Sequence, residues 1–246
     1  MHCKKILYTA LAAGLLVLTG CASKHPLETP LGQSSFQEYL AETRAWIAEN
    51  RHFVMDDHEK ELTYHTPFEI RPAGKTDKGI LLIHGLGDSP WTYRDLATKL
   101  AEQGMLVRTV LLPGHGTKPA DMIGVTSEDW NKAVQEQIDL LKKEVPNVWL
   151  GGFSTGGNLA FSQAAEDPDI RGLILFSPAI EIRTKLVDLV PFADLFIDWL
   201  RKPDKNTEGV LPFKYGTIPL DGLNAFKDTM DDADKALKKK PYDKPV

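Results

Sequence analysis

Short apolar runs and longer amphipathic stretches alternate along the middle of the chain. Lys78-Gly79-Ile80-Leu81-Leu82-Ile83-His84-Gly85 is an apolar run closed by glycine, as expected of a buried strand. Ser89-Pro90 then opens a helix, with serine as its cap and proline in its first turn. That helix runs to about Gln103 and stops at Gly104. Met105 to Leu112 is the next strand, ended by Pro113. Thr126-Ser127-Glu128-Asp129 has the pattern of a capping box and opens a helix to about Glu144. Asn147 to Phe153 reads as a strand, Thr155 to Ala165 as a helix and Arg171 to Phe176 as a strand. Upstream, Ser35 to Asn50 carries Phe36, Leu40, Trp46 and Ile47 at helical spacing, and Glu61 to Ile70 is a weak strand candidate. Downstream, Leu186 to Leu200 is strongly apolar and Asp221 to Lys240 reads as a charged helix. Strands alternating with helices of this length predict an α/β fold with a mainly parallel sheet flanked by helices. In such a sheet ligands sit beyond the carboxyl ends of the strands, so chemistry is sought there.

The N-terminus follows a different pattern. Met1-His2-Cys3-Lys4-Lys5 is a short basic start, and Ile6 to Leu18 is almost wholly apolar or small, as in a secretory signal. A membrane span needs about 20 apolar residues, so the run is short for an uncleaved anchor. Leu18-Thr19-Gly20-Cys21 directly after it resembles the lipobox of bacterial lipoproteins. That resemblance implies a signal peptide over 1–20, cleavage before Cys21, and a lipid anchor on Cys21. It places the protein on a membrane of the bacterial cell envelope, with Ala22 favouring the outer membrane where there are two. Residues 21–34 are then a lipidated tether.

Composition narrows the classes. The chain has 246 residues, 42% hydrophobic and 26% charged, which suits a folded domain and not a disordered or multi-span protein. A formal net charge of −5 supplies no basic face, so no nucleic-acid partner is expected. Of the two cysteines, Cys3 leaves with the signal and Cys21 carries lipid, which leaves no disulfide. Asp56-Asp57-His58-Glu59 reads as a solvated surface run, and no H-E-x-x-H occurs, so neither metal nor cofactor is expected.

Gly152-Phe153-Ser154-Thr155-Gly156 matches the G-x-S-x-G nucleophile elbow, with strand-like Val148-Trp149-Leu150 before it and helix-like Asn158-Leu159-Ala160-Phe161 after it. The chemistry needs a sharp strand-to-helix turn that exposes a serine hydroxyl, and glycines where strand and helix approach. No Gly-Lys-Ser/Thr follows, so a phosphate loop does not fit. His84-Gly85-Leu86-Gly87, at the end of the first clear strand, has the character of the loop that lends a second oxyanion amide. The oxyanion donors are then the backbone amides of Leu86 and Thr155. His84 reads as a packed residue that shapes this loop.

Together with Leu112-Pro113-Gly114-His115-Gly116 and Asp129-Trp130, these motifs resemble the α/β-hydrolase superfamily. The closer likeness is to its carboxylesterase, monoacylglycerol lipase and serine aminopeptidase branch. It covers Gly79 to Pro178 firmly and the following segment loosely. The resemblance implies an α/β-hydrolase domain over 35–246 with an inserted cap at about 183–240. It also implies an acyl-enzyme on Ser154, a small ester or lipid substrate, and a structural role for His115. The apolar stretch of the cap is either a lid over an acyl chain or a helix packed on the domain.

One departure from the family is severe. In that superfamily the acid and the histidine follow the serine along the chain. Here all seven histidines (2, 25, 52, 58, 65, 84 and 115) precede Ser154. In the family a Pro-Val such as Pro245-Val246 begins the next buried strand. The resemblance therefore implies a C-terminally truncated chain with its last strands missing, inactive in this form and exposing a sheet edge. Nothing marks Asp188 or Asp221 as the acid. The expectation is a serine hydrolase of carboxylic esters. The alternatives are a serine aminopeptidase or amidase, and a catalytically dead lipoprotein that binds a ligand or partner.

Overall fold

The runs that read as buried strands assemble into one five-stranded sheet. The computed structural model describes residues 28–179, 197–202, 211–239 and 241–246. The signal and lipobox, Cys21 included, and the apolar stretch of the expected cap up to residue 196 lie outside the described residues. In chain order the described elements are α1 (Phe36–Asn50), α2 (His58–His65), β1 (Glu69–Ile70), β2 (Lys78–Ile83), α3 (Arg94–Glu102) and β3 (Leu106–Val110). They continue with α4 (Ser127–Lys142), β4 (Asn147–Phe153), α5 (Thr155–Glu166), β5 (Ile170–Phe176) and α6 (Leu220–Lys239).

The strand order is β1-β3-β2-β4-β5. β1 runs antiparallel to β3, and every other pairing is parallel. From β2 the chain crosses through α3 to β3 on one side, whereas from β4 it crosses through α5 to β5 on the other. The direction of winding therefore reverses between β2 and β4, and this is the position at which open α/β sheets place their crevice. Alternate residues of β2 serve the two faces of the sheet. Leu81 and Ile83 join the larger core, with Trp130, Val134 and Ile138 of α4 and Leu159 of α5. Ile80 and Leu82 join the smaller one, with Tyr93, Ala97 and Ala101. Residues 80–83 are fully buried, which explains why the sequence here is apolar without alternation.

Most expected elements are present, with boundaries shifted by a residue or two. The capping box at Thr126 is formed, its hydroxyl accepting from the Asp129 amide while Asp129 accepts from Thr126. Two local expectations need correction. Ser89 does not cap a helix with its side chain. Asp88 Oδ1 accepts from the Ser89 amide (2.9 Å) and the Thr92 hydroxyl (2.6 Å), and a 3-10 turn at Pro90–Tyr93 leads into α3. The second correction concerns Glu61 to Ile70, which is mostly helix α2, only Glu69–Ile70 pairing as a strand. Asp57 caps α2 by accepting from the Lys60 amide (2.9 Å), so the run at 56–59, which is exposed as expected, also starts a helix.

Glu61 has a tertiary task that its helical position makes possible. Its carboxylate is fully buried and pairs with Arg51, whose side chain is 5% exposed, while also accepting from the Val54 and Met55 amides. The remaining Arg51 donors reach the carbonyls of Gly116 (2.9 Å) and Pro212 (3.2 Å), so this ion pair ties α1 and α2 to later loops. At the far edge of the sheet, the C-terminal residues lie beside β5, where the Leu173 amide donates to Pro245 O (2.9 Å). Removing one member of a buried pair strands the other charge, at a cost of about 3–5 kcal/mol. Glu61→Ala is expected to lower the urea midpoint accordingly, and an unchanged midpoint would show that the pair is not needed.

Candidate active site

Ser154 stands between β4 and α5 at the point where winding reverses, with φ 53° and ψ −118°. A non-glycine residue held at positive φ is strained, and it persists only where the surroundings enforce it. Here two glycines do so. A Cβ on Gly156 would lie 2.0 Å from Ile83 O and 2.6 Å from His84 O, and one on Gly152 would lie 2.1 Å from Gly156 O. The first turn of α5 thus presses directly on the end of β2, and the chain must turn sharply at Ser154 to reach it. The Ser154 amide donates to Phe176 O (3.0 Å), and its carbonyl accepts from Gly157 (2.9 Å) and Asn158 (3.2 Å), which fixes both sides of the turn.

The loop after β2 packs against this elbow, since a Cβ on Gly85 would sit 3.3 Å from Phe153 O. Leu86 is the next residue. Neither its amide nor that of Thr155, the first residue of α5, has a hydrogen-bond partner among the described residues. Thr155 also stands at the positive end of a 12-residue helix. Two backbone donors of this kind are what a developing oxyanion needs.

The loop is held by the two histidines of the motifs. His84 Nδ1 donates to Gly85 O (2.9 Å), and its Nε2 accepts from the Leu112 amide (3.1 Å). His115 Nε2 accepts from the Gly87 amide (3.0 Å), while its Nδ1 faces the carbonyls of Leu112 and Pro113 (both 3.2 Å). These bonds require each ring to be neutral and to carry its proton on Nδ1. Both rings are buried, 4.8 Å apart, and burial pushes His84 down to about 4 and His115 down to about 3. With every ring nitrogen committed, neither can take a proton from Ser154, and no described group is hydrogen-bonded to Ser154 Oγ.

The segment 211–217 closes over the same loop. The Tyr215 amide donates to Gly87 O (2.7 Å), and its ring stacks on His115 at 5.9 Å. Its hydroxyl accepts from the Thr117 amide (3.0 Å) and donates to Gly114 O (3.3 Å). Arg51 and His65 (Nε2 to Pro212 O, 2.8 Å) hold the start of this segment. The buried Asp88 carboxylate, beside the loop, faces Lys214 Nζ at 3.4 Å. A cavity of 860 Å³ lies elsewhere, between α5, α6 and the C-terminal residues, and includes none of these groups.

The family described as serine aminopeptidase, S33, matches residues 74–213, more than half of the chain. The chain belongs to that family of α/β-hydrolases. A thermostable monoacylglycerol lipase of Bacillus sp. (strain H-257) is 36% identical over 104 residues, 42% of each chain. A carboxylesterase of Bacillus subtilis (strain 168) is 25% identical over 160 residues, 63% of this chain and 64% of that one. The match thus spans under two thirds of either relative. A solved structure from work on LipS and LipT, metagenome-derived lipolytic enzymes, superposes with a TM-score of 0.60 at 25% identity, covering 70% of each chain.

Ser154, Thr155 and Leu86 all stand at the carboxyl edge of the sheet, and Cys21 lies outside the described residues. Sequence reasoning missed Arg51, His65, Asp88 and Tyr215. Arg51, His65 and Tyr215 act through long-range contacts that have no local signature, and Asp88 joins its neighbours Ser89 and Thr92 to the distant Lys214. His65, His84 and His115 also make stability depend on pH. Burial holds His65 near 3, and all three rings are neutral in the fold, whereas in the unfolded chain they take a proton near about 6.5. Between those values the unfolded state binds more protons, so stability rises with pH across the window and is lost as pH falls. Thermal melts are expected to drop progressively below about pH 6.5. His65→Gln, which keeps a donor toward Pro212, is expected to flatten that limb. An unchanged slope would contradict the assignment.

Proposed function

We propose that the protein hydrolyses carboxylic esters in the manner of a carboxylesterase or monoacylglycerol lipase, with Ser154 as nucleophile. The carrying observation is the Ser154 backbone at φ 53°, enforced by glycines that admit no Cβ. Ser154 Oγ attacks the ester carbonyl, and the amides of Leu86 and Thr155 receive the oxyanion. The Ser154 hydroxyl proton passes to the departing oxygen, which leaves as the alcohol, and water then adds to the acyl-enzyme, releasing the acid and returning a proton to Ser154 Oγ. Each oxyanion donor of this type contributes about 2.7–4 kcal/mol in the transition state. Relatives named as a monoacylglycerol lipase and a carboxylesterase favour an ester or lipid over a peptide, with a monoglyceride or short-chain ester as the preferred substrate. The lipobox adds an anchor on Cys21 at a bacterial envelope membrane.

One observation favours a second reading. A positioned base contributes about 10²- to 10⁴-fold, yet among the described residues no group is hydrogen-bonded to Ser154 Oγ, and His84 and His115 have no free nitrogen. A lipoprotein that binds an ester-like ligand in the same crevice without turnover would share all the geometry. A fluorophosphonate probe applied to membranes of the native cells separates the two. The adduct is expected on the peptide carrying Ser154, and Ser154→Ala is expected to abolish it. A folded native protein that stays unlabelled would move the assignment to ligand binding.

A further inference from the structure

The N-terminal residues of the described fold lie at the same edge of the sheet as Ser154, which limits how an anchored domain can sit on a membrane. Residues 28–31 line a groove with Pro113, Val125, Asp129 and Lys132. Pro113 follows β3, and Val125 stands just before α4, so both belong to the carboxyl edge. From there the chain descends beside α4, where the Gly32 amide donates to Glu136 (2.7 Å), and reaches Phe36, whose ring lies 4.4 Å under the guanidinium of Arg108 in β3. It climbs back as α1 to Arg51 beside Gly116.

Six residues lie between Cys21 and Glu28, so the leash from one to the other spans at most about 25 Å when fully extended. A domain of this size is about 45 Å across. A lipid on Cys21 therefore cannot reach a bilayer on which the opposite edge, near Lys75, is resting. The distribution of apolar surface agrees. Of the seven large hydrophobic residues exposed among the described residues, five (Val54, Phe176, Ile197, Leu200 and Leu211) belong to the carboxyl edge or the segments folded over it. Phe176 O holds the Ser154 amide, and Val54 and Leu211 line one groove with Thr117. The carbonyls of Asp198 and Arg201, next to Ile197 and Leu200, accept from Leu220 and Thr217. Leu200 is 68% exposed.

We propose that this face docks on a lipid bilayer, with the Ser154 edge turned toward the membrane surface, so that an ester held in the bilayer is the substrate class within reach. The proposal rests on lipidation of Cys21 and, for the substrate alone, on Ser154 as nucleophile. The lipidated chain has no free thiol, so a single introduced cysteine can carry a fluorophore. Val54→Cys, Leu200→Cys and Lys75→Cys, made in the full lipidated protein, would be labelled and reconstituted into vesicles whose acyl chains carry bromine. An apolar face lodged at the acyl boundary sits about 5–10 Å deep, so the first two labels are expected to be quenched at least about twofold more than the third. Equal quenching, or stronger quenching at Lys75, would overturn the orientation. Incorporation of an alkynyl fatty acid, lost in Cys21→Ser, reads the anchor separately, and its absence would overturn the proposal at that premise. Neither readout uses turnover, so a failure of the esterase reading is distinguished by the fluorophosphonate result alone.

Discussion

The arrangement depends on a contact with no room for a side chain. The backbone of Gly156, in the first turn of α5, lies against the last carbonyls of β2, where a Cβ would come within 2.0 Å of Ile83 O. This contact brings β2, β4 and α5 together where the sheet changes its winding direction. The turn between β4 and α5 then has only one residue in which to reverse, and Ser154 takes positive φ to do so. Its hydroxyl is presented by backbone geometry, and the Thr155 amide stands beside it at the helix end. The parallel register that pairs Ile83 with Gly152 brings the two strand ends level, so the loop after β2 begins where the elbow stands.

Around that contact lies a layer of neutral polar groups. His84 and His115 each accept one backbone amide and face backbone carbonyls through the other nitrogen, linking the Gly85–Gly87 loop to the Leu112–Gly116 loop. Tyr215 adds a third segment to the same bracket. The Arg51–Glu61 pair then connects the bracket to α1 and α2. Those helices precede the region matched by the family, which starts at residue 74, yet they hold its loops in place. Burial serves this layer directly, because a charged imidazole could not accept the amide that each Nε2 now receives.

What was legible in the sequence follows from how local each signal is. The buried strands declare themselves because both faces of β2 are covered, so residues 80–83 are apolar without a break. The elbow is legible because steric demand is written in adjacent glycines. The capping box at Thr126 is equally local. Glu61 to Ile70 misled because the groups that make it helical lie just upstream of it and carry no apolar pattern. Glu61 is buried by Arg51, and the helix start depends on Asp57, which in sequence looks like one more surface acid. Ser89 misled in the same way, since the neighbouring Asp88 supplies the acceptor. His65 and Tyr215 have meaning only once residues more than a hundred positions apart are in contact, as Tyr215 is with Gly87 and His65 with Pro212.

The central claim is that Ser154 and the amides of Leu86 and Thr155 form one acyl-transfer site. A crystal structure of the native protein after reaction with a phosphonate ester tests this most directly, because the bound phosphorus carries the tetrahedral shape of the intermediate. The account predicts a covalent bond to Ser154 Oγ, with one phosphonyl oxygen about 2.7–3.1 Å from both amide nitrogens. An adduct whose oxygen points away from Leu86 and Thr155, or one formed on another residue, would contradict it.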